Sequence, residues 1–129
     1  MWQARAKTMK NQAFTKKLRN AFAGIGCAWT EERNFRVHVA LGLVTLLGFA
    51  VLQPTALWWA LIVVCIALVL AAELLNSAVE ALTDHLHPEL HPVIGKVKDM
   101  LAGMVLVISF GAAVVAMLAL YATVAAWSP

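Results

Sequence analysis

The chain has 129 residues, of which 62% are hydrophobic and only 13% charged, with a net charge of +3. Soluble domains run roughly half apolar and about a quarter charged, so lipid as well as a protein core must receive these side chains. The length predicts one domain, and two cysteines, Cys27 and Cys65, exclude a disulfide framework.

The N-terminal segment is basic, with Arg5, Lys7, Lys10, Lys16, Lys17 and Arg19. No short apolar stretch with a cleavage site follows it, so no signal peptide is expected. Phe14, Leu18, Ala21, Phe22, Ile25 and Trp29 recur at three- and four-residue spacing, away from most of the basic residues. That pattern predicts an amphipathic helix lying on the cytoplasmic leaflet. A basic topogenic tail with no further role is the plain alternative.

Three apolar runs follow: Val37 to Leu52, Ala56 onward without charge until Glu73, and Leu101 to Trp127. A spanning helix needs about 20 mostly apolar residues. The third run meets this outright. The first does so with Phe35 and His38 at the interface, and the second with its polar end included. The predicted fold is an all-α membrane domain over residues 1–129. Residues 1–35 form a cytoplasmic tail and surface helix, and 36–53, 56–84 and 98–127 form three membrane helices. Basic residues precede the first run, and Lys96 and Lys98 lie between the second and third. The link Gln53-Pro54-Thr55 has none. The positive-inside rule then makes the N-terminus and the second loop cytoplasmic.

The second run ends in acids. A helix turns about 100° per residue, so Glu80 returns nearly to the direction of Glu73, and Asp84 follows. Asn76 and Ser77 flank that line. One polar stripe thus enters the membrane from the cytoplasm. An ionisable residue within a span costs about 2.5–3.5 kcal/mol on insertion scales and usually faces protein or water. A polar seam between helices, with Asn and Ser as the joining groups, is the structural alternative. Against it stand three carboxylates with no Lys or Arg on the same segment. Glu31, Glu32, Lys96, Lys98 and Asp99 fall at the same boundary. Asp99 alone is explained by the helix dipole. Together, carboxylates and lysines at a membrane surface suit Mg²⁺ carried on phosphates. No G-x-x-x-x-G-K-S/T or G-x-G-x-x-G loop is present, so side chains and metal must hold any nucleotide. The three histidines of His85-Leu-His87-Pro-Glu-Leu-His91 match zinc patterns poorly, and a cytoplasmic turn is the better reading.

Glu73-Leu-Leu-Asn76-Ser77-Ala-Val-Glu80-Ala-Leu-Thr-Asp84, followed by Lys98-Asp99, resembles the signature of the prokaryotic integral-membrane diacylglycerol kinase and undecaprenol kinase family. Ala28-Trp29-Thr-Glu-Glu32-Arg-Asn34-Phe35-Arg36 is similar to that family's stretch before its first span, and the likeness runs from about Phe14 into the third span. The resemblance implies a homotrimer in the bacterial inner membrane, with the N-terminus cytoplasmic and no nucleic-acid partner. It implies transfer of the γ-phosphate of MgATP to a lipid alcohol, diacylglycerol first and undecaprenol as the alternative. Glu73 would be the general base, and Glu32 and Glu80 would hold Mg²⁺. Lys16, Arg19, Asn20, Asn76, Glu89, His91, Lys98 and Asp99 would join Glu32 and Glu80 around ATP. Trp29, Phe35, Arg36, Glu73 and Ala102 would border the lipid. Ala102 stands where some members carry serine. Two readings from other classes predict different things. A cation-transport subunit needs acids across the whole membrane, and a membrane anchor tolerates Glu80→Ala.

Overall fold

The structure is a computed structural model that describes residues 13–89 and 91–127. Arg5, Lys7 and Lys10 of the basic tail lie outside the described residues. The described residues form four helices: α1 (Phe14–Glu31), α2 (Arg33–Leu52), α3 (Ala56–Leu86) and α4 (Pro92–Ala125). The all-α expectation holds, and α2, α3 and α4 are each long and apolar enough to cross a membrane.

The helix limits differ from the predicted ones in an instructive way. α2 starts at Arg33 rather than 36, α3 runs on to Leu86 rather than 84, and α4 starts at Pro92 rather than 98. Lys96 therefore sits on a helix and not in a loop, and Lys98 lies well inside it rather than at its first position. Pro92 at the first helical position explains this start, because its fixed φ suits a helix and its missing N–H is not needed there. The His91 side chain adds a cap, accepting from Val93 N at 3.3 Å. Hydropathy marks where a membrane begins, whereas capping chemistry marks where a helix begins, and here the two are six residues apart.

At about 1.5 Å per residue, α2 is about 30 Å long, α3 about 46 Å and α4 about 51 Å. A hydrocarbon core of about 30 Å is filled by α2 alone. The surplus lengths of α3 and α4 carry Glu80, Asp84, Lys96, Lys98 and Asp99. They form a polar extension at the end where α1 joins.

The chain reverses between α2 and α3 at Gln53, which has φ 54° and ψ 59°. This left-handed conformation ends α2 where glycine is the usual residue. Gln53 N donates to Phe49 O at 2.9 Å, and Gln53 Nε2 donates to Ala50 O. Pro54 then prevents any continuation of the helix. Nearby, Phe49, Ile62 and Ala119 form the buried core, with Leu46, Trp58, Trp59, Ile66 and Ala116 packed around it. This core lies toward the hairpin end, away from the acids. Gly42 lets α2 approach α3, since a Cβ there would stand 3.0 Å from Ile66 Cγ2.

α1 packs against α2 and α3 but leaves Phe14, Phe22 and Trp29 exposed. α4 buries only Ala119 and Thr123, while Leu106, Val107, Phe110 and Tyr121 are 71–75% exposed. One copy of the chain therefore leaves most of its apolar surface to be covered by lipid or by other protein.

Candidate active site

The joint between α1 and α2 falls at Glu32, whose backbone is extended at φ −105° and ψ 111°. Neither glycine nor proline marks this break. The Thr30 hydroxyl donates to Cys27 O at 2.9 Å and to Gly26 O at 3.2 Å, and such back-bonding weakens a helix. Arg36 reaches back from α2, and its Nη1 donates to Trp29 O at 2.8 Å and Thr30 O at 3.1 Å. A guanidinium on the final carbonyls of a helix is favoured by the dipole and supplies the missing donors. Phe35, 3% exposed, and Ala28 pack the inside of the joint. Glu32 is thus held at a fixed corner beside two buried residues.

Glu73 is 4% exposed, the most buried ionisable group among the described residues. Its Oε1 stands 2.9 Å from His38 Nδ1 on α2. The approach is off the ring N–H direction, so Nδ1 makes no aligned hydrogen bond. It is a close polar contact between two largely buried groups. A buried carboxylate needs such a partner, because desolvating a lone charge is very costly.

Farther along α3, Asn76 and Ser77 are half-buried, and Glu80 and Asp84 are exposed. Lys98 crosses from α4 to pair with Asp84, and its Nζ lies 3.8 Å from Glu80 Oε1. Thr83, buried between them in sequence, donates to Glu80 O at 2.9 Å. The stripe predicted from the 100° period is therefore real, but graded. It begins with an acid sealed among helices and ends with two acids sharing a lysine at the surface.

The remaining candidate residues are spread around this end. Lys16, Arg19 and Asn20 are exposed on α1, and Trp29 is 49% exposed near its end. Glu89 is exposed in the α3–α4 link, where the His91 ring lies 6.4 Å from that of His87. Asp99 and Ala102 are exposed on α4. Phe35 is interior packing, and Arg36 ties the joint, so the structure gives both a local structural role.

The carboxylate–lysine set fits a phosphate-borne Mg²⁺. Its donors are hard oxygens, and the Glu80 carboxylate stays exposed. Mg²⁺ on a nucleotide needs only one or two carboxylates, with phosphate and water completing its shell.

His38 is the residue that sequence reasoning missed. Hydropathy marks it only as a boundary residue of the first span. A geometric signal was available: His38 precedes Gln53 by fifteen residues, and Glu73 follows Thr55 by eighteen. A tight antiparallel hairpin brings such positions to nearly one level. His38 also lines a cleft of about 180 Å³ between α2, α3 and α4, together with Thr45, Ile66, Cys65 and Ser109. Ser109 Oγ is buried there without a hydrogen-bond partner.

Residues 19–120 match the family model for prokaryotic diacylglycerol kinase. The chain belongs to the prokaryotic diacylglycerol kinase family. It is 38% identical to a Helicobacter pylori diacylglycerol kinase over 77 residues, a match spanning 60% of each chain. An Escherichia coli diacylglycerol kinase is 32% identical over 97 residues, covering 73% of this chain and 80% of the relative. A Bacillus subtilis undecaprenol kinase is 30% identical over 105 residues, or 81% and 85% of the two chains. Family membership and three apolar helices make this a multi-pass membrane protein.

Proposed function

We propose that this family member is an ATP-dependent lipid kinase that phosphorylates the hydroxyl of diacylglycerol to give phosphatidic acid. The observation that carries the reading is the graded stripe on α3, with Glu73 buried and Glu80 and Asp84 exposed beside Lys98. Such an arrangement supports a reading in which a water-excluded base lies next to a charged platform for phosphate. The reaction needs both, since one reactant lives in lipid and the other in water.

In this reading Glu73 accepts the hydroxyl proton as the O–H bond breaks. The lipid oxygen forms a bond to the γ-phosphorus, the bond to the β,γ-bridging oxygen breaks, and ADP leaves. Phosphoryl transfer asks mainly for positioning and charge neutralisation, and general-base help is typically worth about 10²–10⁴-fold. Mg²⁺, held by Glu32 and Glu80, would neutralise charge on the ATP phosphates. Lys98 exchanges Asp84 for phosphate when nucleotide arrives, and Asn76 orients the reacting groups. Lys16, Arg19, Asn20, Glu89, His91 and Asp99 surround the nucleotide, and Trp29 and Ala102 border the lipid. α1 lies on the cytoplasmic leaflet of the inner membrane, its exposed Phe14, Phe22 and Trp29 in the acyl boundary. Three copies assemble, covering the exposed face of α4.

Undecaprenol is the second reading for the acceptor. It is favoured by the broad match to the Bacillus subtilis undecaprenol kinase, which covers 85% of that chain. Purified protein in mixed micelles with labelled ATP and either lipid separates the two. Label in phosphatidic acid supports the first reading, and label in undecaprenyl phosphate replaces it with the second. Transfer to neither lipid sinks the kinase reading.

A further inference from the structure

His38 joins two features that otherwise stand apart. One side of it meets Glu73, with Nδ1 at 2.9 Å from Oε1. It also lines the cleft that runs from this level along Gly42, Thr45, Cys65 and Ser109. The His38 side chain is 20% exposed and that of Glu73 is 5% exposed, so little water reaches the contact. Nδ1 itself is buried, and this close contact is the polar neighbour the structure gives it. Glu73 of α3 is the group that meets it, while Cys65 of α3 and Ser109 of α4 line the same cleft.

A buried carboxylate with two equivalent oxygens is free to rotate about its terminal bond, which has a broad torsional profile. An acid that must receive a proton from an incoming alcohol benefits from being fixed. We propose that His38 is a positioning residue for phosphoryl transfer, its Nδ1 holding Oε1 of Glu73 so that Oε2 is presented to the acceptor hydroxyl. This rests on the reading of Glu73 as the base. His38 comes from α2, so the contact also makes the base dependent on correct pairing of the α2–α3 hairpin. The nucleotide platform at Glu80, Asp84 and Lys98 lies farther along α3 and does not touch His38. Loss of the contact therefore acts on the chemical step and spares nucleotide binding.

The test compares His38→Asn, His38→Gln and His38→Leu in the full-length protein in mixed micelles. The Asn amide nitrogen falls near the position of Nδ1, whereas the Gln amide nitrogen falls near Nε2. His38→Leu is expected to lower kcat on the order of 100-fold, the cost of misplacing a reacting group by about 1 Å, with KM for ATP unchanged. His38→Asn restores most of kcat, and His38→Gln does not. Equal kcat for the Asn and Gln variants overturns the positioning role, as does a change confined to KM. If His38→Leu does not fold, the Asn and Gln pair still decides. Glu73→Gln in the same assay separates the two layers. An inactive Glu73→Gln beside equal Asn and Gln variants leaves the base in place and removes only His38. An active Glu73→Gln removes both.

Discussion

Glu73 has 4% of its surface exposed, and among the described residues His38 of α2 is the charge-capable group set against it. Glu73→Gln preserves the shape and removes the ability to take a proton. It is expected to abolish turnover by at least about 10²-fold while ATP still protects the protein against heat. Retained turnover would show that another group takes the proton. Cys27 offers a pH-dependent reading outside the membrane. The Glu31 carboxylate accepts its S–H bond and repels a thiolate, which pushes the Cys27 thiol above its ordinary pKa. Alkylation needs the thiolate. Reaction of Cys27 with iodoacetamide should thus rise at higher pH than for a free cysteine. Glu31→Gln should move that rise to lower pH, and an unmoved profile would show that Glu31 does not set it.

Between elements, two contacts decide how the site is held. Gly42 is buried where α2 meets α3, and a Cβ would come within 3.0 Å of Ile66 Cγ2. Ile66 is branched at Cβ, which restricts the rotamers it can adopt to make way. Gly42→Ile should push the helices apart, costing about 1–3 kcal/mol as an overpacked core substitution, measured by unfolding in detergent. Because His38 is one turn away on the same helix, kcat should fall with it. Lys98 behaves differently. Its pairing with Asp84 is partly exposed, and solvent-screened pairs of that kind contribute little to stability. Lys98→Ala should leave the melting temperature nearly unchanged and collapse phosphoryl transfer. A large loss of stability with activity kept would make Lys98 a strut between α3 and α4 instead of a phosphate ligand.

For the molecule as a whole, the division of labour runs along its length. The buried core of Phe49, Ile62 and Ala119 lies toward the hairpin, and the charged groups lie toward the opposite end. α3 carries no Asp, Glu, Lys or Arg before Glu73, and α4 none after Asp99. Acids spaced across the membrane, which a conducting path requires, are therefore missing from these two helices. The trimer proposed from the family resemblance predicts a scattering mass three times the 14.0 kDa of one chain. A monomer with full activity would dismiss the trimer.

Much of this was written in the order of residues. Apolar runs interrupted by Gln53-Pro54 announce helices and a reversal, because solvation by lipid depends on side-chain type alone. The stripe from Glu73 to Asp84 follows from helical period, a property of one segment. The family follows from the same stretch together with Lys98-Asp99. Other features needed the folded chain. The start of α4 at Pro92 was set by capping and not by hydropathy. The break at Glu32 depends on Arg36 reaching back across the joint, and no local residue type announces it. Above all, the meeting of His38 with Glu73 belongs to two helices separated by a turn. Sequence alone determined what each helix is and which way its polar face points. Only tertiary packing decided what that face meets, because a contact between helices depends on their depth, rotation and spacing together.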